Sequence, residues 1–363
     1  MERRQVRIEL GILFSREGSY RRISEACRSG ALAAIEAVNA DPALPIELVA
    51  VERDPQGNVD RYGPLCAEIL RDSSARHIVG CVTSWSRKEV IPTLEKWDGS
   101  LWYPCPYEGF EASDRVVYAN ACPNQHLLPL LSWAFPRFGR RGYLTGSNYI
   151  WGWETNRVAR DLIAEAGGEV AGERYLPLGD DDVSRLIDEI RATRPDFILN
   201  NLIGPSSYRF LAAYTALGIE DASFSPDRCP VLSCNLTECE FPALGSAAEG
   251  MIAAGPYFQT GAAPYGSSFE AATHDAVRTL ALRLACVEDP GTASLSDLLR
   301  VPVRGGLTID PGTHHATLPV LIAQVQGGAF RVLERWEDVV ADPYLSHRDR
   351  RVAAPPTSLS VVK

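Results

Sequence analysis

The sequence has 363 residues, of which 45% are hydrophobic and 23% charged, and its formal net charge is −10 at pH 7. This length suits two globular domains, each able to bury a core. The acidic balance argues against direct nucleic-acid binding, because neutralising phosphates needs a basic face. No apolar run approaches the roughly 18 residues of a membrane span, so we expect no membrane insertion.

The N-terminus and the cysteines give a prediction of cellular location. Arg7 and Glu9 interrupt the first apolar run, which is therefore typical of a strand rather than of a secretory signal. The nine cysteines are an odd number and none has CxxC spacing, which favours free thiols in a reducing compartment. We therefore expect a cytoplasmic protein.

Short apolar runs alternate with amphipathic stretches in the first third of the chain. This is the pattern of βα units on a mainly parallel sheet. The predicted strands are 6–14, 46–51, 77–82, 101–105 and 116–120. The predicted helices between them are 24–39, 60–72 and 87–97. Together these elements predict one α/β lobe.

A second series of the same kind begins after Pro123. Its predicted strands are 142–145, 169–175, 197–202, 231–234 and 251–254. Its predicted helices are 125–138, 153–166, 181–192 and 206–217. Two helices, 269–287 and 296–300, and two strands, 316–325 and 330–336, follow. Prolines 343, 355 and 356 predict a wrapping or frayed tail over 337–363.

Ligands bind open α/β lobes at the carboxyl ends of the strands, and polar or aromatic residues follow three of the predicted strands. These residues are Val82, Thr83, Ser84 and Ser86; Tyr103, Cys105, Pro106 and Tyr107; and Tyr149, Trp151 and Trp153. Each group also has a purely structural interpretation. The hydroxyls can cap a helix, the aromatic loop can belong to the core, and the tryptophans can form a lobe interface.

A catalytic function has little support in the sequence. It has no G-x-S-x-G elbow, no H-E-x-x-H and no phosphate-binding loop. His314 and His315 are adjacent and no carboxylate cluster accompanies them, so we expect no metal site. Cys105 could act as a nucleophile, but no histidine partner is marked. We expect no catalytic residue and no cofactor.

Several short segments, in this order, resemble the amide sensors of aliphatic amidase operons, which are members of the type I periplasmic-binding-protein family. The similarity extends over nearly the whole chain, and PYEGFE at 106–111 is its most specific element. The other segments are GILFS at 11–15, VGC at 79–81, RK at 87–88, YP at 103–104, PNQ at 123–125, PYF at 256–258 and DPY at 342–344.

The resemblance implies a type I periplasmic-binding-protein fold, with two Rossmann-like lobes joined by a three-crossing hinge. The crossings are expected near Ala121, Phe258 and Gly312. This gives an N-terminal lobe of residues 1–120 and 259–312, a C-terminal lobe of 121–258 and 313–336, and a tail of 337–363.

The resemblance also implies a ligand site between the lobes. Ser84 matches the hydroxyl that bonds the amide, Tyr103 matches a pocket aromatic, and Tyr149 matches a phenol on the opposing lobe. Cys105 and Val82 replace a hydroxyl residue and an aromatic residue of the family, which makes room for a bulkier or less polar amide, or a nitrile. Thr83, Pro106 and Trp151 complete the predicted ligand-binding set.

The function implied is that of a cytoplasmic sensor of small amides or nitriles. Such a sensor would regulate nitrile hydratase or amidase genes through an antiterminator or another regulatory protein, without enzymatic activity. The substrate-binding component of an ABC transporter for amides, urea or branched-chain amino acids is the alternative, and an amide hydrolase is the least favoured interpretation. Self-association stays open.

Overall fold

The computed structural model describes residues 6–261 and 263–346. The first lobe is a five-stranded sheet in the order β2-β1-β3-β4-β5, and every pair in it is parallel. Its strands are β1 (Val6–Leu13), β2 (Ile46–Arg53), β3 (His77–Gly80), β4 (Ser100–Tyr103) and β5 (Val116–Tyr118). The helices between them are α1 (Arg21–Ala40), α2 (Tyr62–Asp72) and α3 (Ser84–Trp97).

The second lobe repeats this plan with a larger sheet. Its parallel strands are β6 (Arg141–Ser147), β7 (Glu169–Leu176), β8 (Phe197–Asn201), β9 (Val231–Ser233) and β10 (Ile252–Gly255). Its helices are α4 (Leu127–Phe138), α5 (Ile150–Glu165), α6 (Ser184–Thr193), α7 (Pro205–Glu220) and the short α8 (Phe241–Leu244). The apolar faces of α4 and α5 pack on one side of the sheet, and those of α6 and α7 on the other.

The last part of the chain contributes to both lobes. Helix α9 (Ser268–Leu284) packs against α1, and α10 (Leu295–Arg300) packs against α9. Strands β11 (Thr308–Ile309), β12 (Ala316–Gln326) and β13 (Ala329–Val339) then extend the second sheet in antiparallel fashion. The prediction of two α/β lobes with parallel sheets is confirmed. None of the described helices is long and apolar enough to cross a membrane.

Within the described residues the chain passes between the two sheets three times. The first passage lies between β5 and α4, the second between β10 and α9, and the third between α10 and β11. The exact lobe boundaries stay predictions. Strand β13 runs past its expected end at Trp336 into the predicted tail. Residues 1–5 and 347–363, including Pro355 and Pro356, lie outside the described residues.

The two lobes touch through backbone near the carboxyl ends of their strands. Ser19, between β1 and α1, lies against Gly204 at the start of α7. A Cβ on Gly204 would lie 1.9 Å from the Ser19 carbonyl oxygen, and Gly179 approaches the Ser19 hydroxyl from the same lobe. Only a glycine at position 204 allows the two backbones to approach this closely. Because the lobes are in backbone contact here, we describe their arrangement as closed.

Gly204→Ala should therefore hold the lobes apart, because the added methyl group meets backbone that cannot rotate away. Small-angle scattering should give a larger radius of gyration for this variant than for the unaltered protein. Gly245→Ala is the matched control: Gly245 has φ 52° where Gly204 has φ 61°, but no atom lies within 4 Å of its added Cβ. Equal radii for the two variants would contradict the prediction.

Candidate functional site

The end of β3 leads into α3 through a strained turn. Cys81 has a φ of 64°, which is uncommon for a residue with a side chain. Thr83 is the N-cap of α3 and forms a capping box with Ser86, with Oγ1 and Oγ 3.0 Å apart. These two hydroxyls are therefore used by the helix itself. Of the three hydroxyls in this turn, only Ser84 is directed elsewhere.

Ser84 is the first residue of α3 and is almost fully buried. Its Oγ donates a hydrogen bond to Glu108 Oε2 at 2.6 Å. The other predicted residue of this turn, Val82, is buried, and its carbonyl accepts a hydrogen bond from the Tyr103 hydroxyl at 2.7 Å. The hydroxyl of Tyr103 thus ties the ends of β3 and β4 together.

The segment after β4 brings a thiol to the same edge of the sheet. Cys105 is buried, and its Sγ lies 3.8 Å from the Cys81 carbonyl oxygen and 3.9 Å from the Cys27 sulfur. Pro106 beside it is half-buried. Burial raises the pKa of the Cys105 thiol well above its usual value, so the neutral form dominates at neutral pH. Such a thiol is a poor nucleophile.

A buried ion cluster lies directly behind Ser84. Arg87 is completely buried and donates to Glu108 at 2.7 Å and to Glu111 at 2.8 Å. Lys88 also bonds Glu111. The Arg87 guanidinium lies over the rings of Tyr103 and Tyr107, 4.8 and 4.9 Å from their centroids. The guanidinium therefore joins helix α3 to the whole segment that follows β4.

The charges of this cluster stabilise one another. Burial alone would raise the pKa of Glu111, but the nearby Arg87 and Lys88 lower it to about 2. Burial likewise disfavours the charged form of Arg87, and the two carboxylates overcome this effect and raise its pKa. Burying a lone guanidinium would be strongly unfavourable, whereas pairing it with carboxylates is tolerated. Arg87 and Glu111 are therefore both ionised at neutral pH.

The second lobe brings Tyr149 to this edge. Tyr149 precedes α5, is 1% exposed, and has its ring centroid 6.2 Å from that of Trp85. Burial, and next the negative charge of Glu108, raise the pKa of Tyr149 far above its usual value. No hydrogen bond of its hydroxyl is found within the described part of the chain. Residues of both lobes thus meet over the start of α3.

Trp151 is the predicted residue that lies apart from this group. Its ring packs 5.7 Å from that of His126, beside the first hinge passage, and this position favours the lobe-interface interpretation. Residues that the sequence did not single out lie close to the group. They are Glu108, Trp85 and Tyr20, the last of which lies at the start of α1, close enough to Tyr149 to be among the groups that raise its pKa. Tyr20 follows β1, so the strand-end rule could have found it.

A model of the periplasmic binding protein domain matches residues 8–290, which is well over half of the chain. The chain belongs to the periplasmic binding protein family. Solved structures agree on the type I fold, which confirms the predicted fold class. A solute-binding protein of an ABC transporter from Rhodopseudomonas palustris HaA2, in complex with p-hydroxybenzoic acid, has a TM-score of 0.78 at 18% identity and covers 94% of this chain and 100% of its own.

Two further structures of the periplasmic binding protein fold are similar. The branched-chain amino acid transporter substrate-binding protein of Streptococcus pneumoniae, in complex with isoleucine, has a TM-score of 0.76 at 15% identity, covering 92% of this chain and 99% of its own. A leucine-binding protein of Thermotoga maritima has a TM-score of 0.75 at 15% identity, covering 91% and 99%. The family and these structures are binding proteins rather than enzymes.

The prediction of a cytoplasmic location is wrong. The matching family is described as periplasmic, and the similar structures are solute-binding proteins of ABC transporters, which point to the periplasm. The cysteine count misled because all nine cysteines are free thiols but most are buried. A buried thiol is hard to oxidise in any compartment, so its free state does not report the redox environment.

A second contact between the lobes contains two buried carboxyl groups. Glu238 and Glu240 belong to a single 3-10 turn after β9 that packs against α1. Tyr208 donates to Glu240 at 2.9 Å, and the backbone N–H of Gln259 donates to Glu238. The second oxygen of each carboxylate has no partner in the parts of the chain described. Burial raises the pKa of both to about 7.

Glu240→Gln should stabilise the protein at pH 8 and have little effect at pH 4. The folded state holds the Glu240 proton more tightly than the unfolded state. The free energy of unfolding is therefore highest below about 4.5 and falls as pH rises to about 7. A shift of this size corresponds to a loss of at most about 3 kcal/mol, and the nearby charge of Arg22 already lowers the shift. Denaturant titrations at several pH values measure this difference.

The control is Glu36→Gln, which removes an exposed carboxyl group of α1. If Glu240→Gln has the same free energy of unfolding as the unaltered protein at every pH, the Glu240 carboxyl is solvated and the burial argument fails.

Proposed function

We propose that this chain is the solute-binding component of an ABC transporter and that it encloses a small neutral amide or urea between its lobes. The observation that carries the proposal is the internal neutralisation of Arg87. Two carboxylates, Glu108 and Glu111, face two cations, Arg87 and Lys88, so the charge of the buried guanidinium is already balanced, although its Nη1 has no hydrogen-bond partner among the described residues. No unpaired buried cation of this cluster is left to hold a ligand carboxylate.

The hydrogen-bonding state of Ser84 supports an N–H donor as its ligand. Because Ser84 gives its proton to Glu108, its remaining lone pairs can only accept. An amide N–H fits that requirement, whereas a carboxylate would meet an oxygen that has no proton to offer. The negative charge of Glu108 beyond it further disfavours an anionic ligand.

The second lobe supplies the complementary group. The Tyr149 phenol stays neutral at any ordinary pH and can donate to a carbonyl oxygen. An acceptor on one lobe and a donor on the other match the two ends of a primary amide or of urea. A nitrile has no N–H group and could use only Tyr149. Amides and urea are therefore favoured over nitriles.

Cys105 and Val82 extend the proposed pocket with weakly polar surface. A thiol behaves more like a small hydrophobe than a hydroxyl does. These residues favour a ligand with an alkyl substituent, such as propionamide, over the smallest amides. Tyr103 and Pro106 support the pocket from behind, since the Tyr103 hydroxyl is already bonded to Val82.

The regulatory function implied by the resemblance to amide sensors stays a prediction. The same cleft would serve a sensor of amides or nitriles acting on nitrile hydratase or amidase genes. No contact of the described residues favours an antiterminator or another regulatory protein as partner. Family membership and the matched transporter components favour the solute-binding function instead.

Isothermal calorimetry with a panel of small solutes should separate these ligand classes. Acetamide, propionamide and urea should bind more tightly than isoleucine or p-hydroxybenzoate, the ligands held by the similar structures. The reason is the absence of a free cation in the Arg87 cluster. Tightest binding by either carboxylate would contradict the neutral-ligand proposal.

Ser84→Ala and Tyr149→Phe should each weaken amide binding by about tenfold, the effect of losing a hydrogen bond of about 1 kcal/mol. Tyr214→Phe is the matched control, because it removes a buried phenol that bonds the Cys229 carbonyl in the second lobe. Calorimetry on all three variants measures the effect. Unaltered affinity in Ser84→Ala would leave Ser84 with a structural role only.

A further inference from the structure

A pair of thiols lies at the cleft-facing edge of the first lobe. Cys27, on α1, and Cys105, after β4, have their sulfurs 3.9 Å apart, and both side chains are buried. This is van der Waals contact between reduced sulfurs. The pair joins two elements far apart in sequence, and one member belongs to the proposed ligand pocket.

The surroundings of the two sulfurs suit a disulfide. A disulfide bond is about 2.05 Å long, so the two sulfurs, now 3.9 Å apart, must approach each other by roughly half of that distance. Nearby thiols are engaged elsewhere: Cys81 Sγ lies 3.5 Å from the Ser86 carbonyl oxygen, and Cys239 Sγ lies 3.4 Å from the Thr237 hydroxyl. Cys105 Sγ also lies 3.8 Å from the Cys81 carbonyl oxygen, but the thiol it contacts is that of Cys27.

We propose that Cys27 and Cys105 form a reversible disulfide by exchange with a small disulfide when the two lobes separate. The periplasm, the compartment of this family, is an oxidising environment in which such bonds form and persist. The site is thus a modification site for thiol–disulfide exchange, and the disulfide itself does not depend on which ligand the cleft holds.

The exchange proceeds in two steps that conserve atoms and electrons. The Cys105 thiolate attacks one sulfur of the small disulfide, which forms a mixed disulfide and releases one small thiol. The Cys27 thiolate then attacks the Cys105 sulfur and releases the second small thiol. Two protein thiols are oxidised, the small disulfide is reduced to two thiols, and the two protein protons leave on those thiols.

Closure of the lobes controls access to this pair. Tyr149 and Cys239 of the second lobe lie close enough to Cys105 for a thiolate at Cys105 to be disfavoured by an ionised Cys239 and to disfavour ionisation of Tyr149. In the closed arrangement the Cys105 side chain is buried, and burial keeps its thiol protonated. Separation of the lobes exposes the strand ends of the first lobe to solvent. An open protein should therefore be oxidised faster than a closed one.

The test treats the reduced full-length protein with glutathione disulfide and then alkylates it under denaturing conditions. The expected product carries two alkyl groups fewer than the alkylated reduced protein and yields a peptide that links Cys27 to Cys105. Cys66→Ala, which removes another buried thiol of the first lobe, should give the same product. Cys27→Ala should give a glutathione adduct on Cys105 and no internal disulfide.

The rate of exchange tests the role of closure. Gly204→Ala, which separates the lobes, should be oxidised several-fold faster than its control Gly245→Ala. A full set of alkylated cysteines in the treated unaltered protein, a disulfide between another pair, or a lasting adduct on Cys105 with Cys27 present would each overturn the pair. Equal rates in the two glycine variants would overturn the control by closure. No outcome depends on amide binding, so failure here is distinct from failure of the proposed function.

Discussion

The buried guanidinium of Arg87 is the constraint on which the cleft face of the first lobe depends. It joins the first turns of α3 to Glu108 and Glu111, which end the proline-rich segment after β4. A charge in this position has no access to water, so both carboxylates are needed to keep it there. Ser84 is in turn oriented by Glu108. The positions of Glu108, Glu111 and Ser84 thus depend on the ion pairs of Arg87.

The two lobes contribute different hydrogen-bonding groups to the cleft, with acceptors on the first lobe and a donor on the second. The first lobe offers acceptors, since the Ser84 and Tyr103 hydroxyls already donate their protons and the Thr83 hydroxyl caps α3. The second lobe contributes a phenol without a partner among the described residues. A ligand that bonds both must lie between them, which links binding to the relative position of the lobes.

Much of the fold could be predicted from the sequence because it depends on local patterns. The strand and helix periods gave β1 through β13 within a few residues, except the short β11, whose two residues carry no period. Individual site roles were harder. Thr83 and Ser86 look like ligand hydroxyls in the sequence, but their capping of α3 is a competing use that only the backbone conformation decides.

The sequence patterns did not single out residues whose partners lie far away in sequence or on the other lobe. Glu108 lies within the recognised PYEGFE segment, yet its bond to Ser84 joins positions 24 residues apart. Trp85 meets Tyr149 only because two lobes pack together. No periodicity reports such contacts. The cellular location failed for a different reason, since free thiols reflect burial as much as compartment.

Because Ser19 and Gly204 touch through backbone when the lobes are closed, the size of a ligand acts on the ratio of closed to open protein as well as on the fit of the ligand in the cleft. A molecule too long for the cleft can be accommodated without a clash if the lobes close only partly. Partial closure keeps the Ser19 and Gly204 backbones from touching, and the contact between the lobes at this point is then lost. Because packed surfaces have discrete arrangements, a ligand that holds the lobes apart shifts the population toward the open form. The protein would then discriminate between ligands of different length through the Ser19–Gly204 contact, which the ligand itself does not touch.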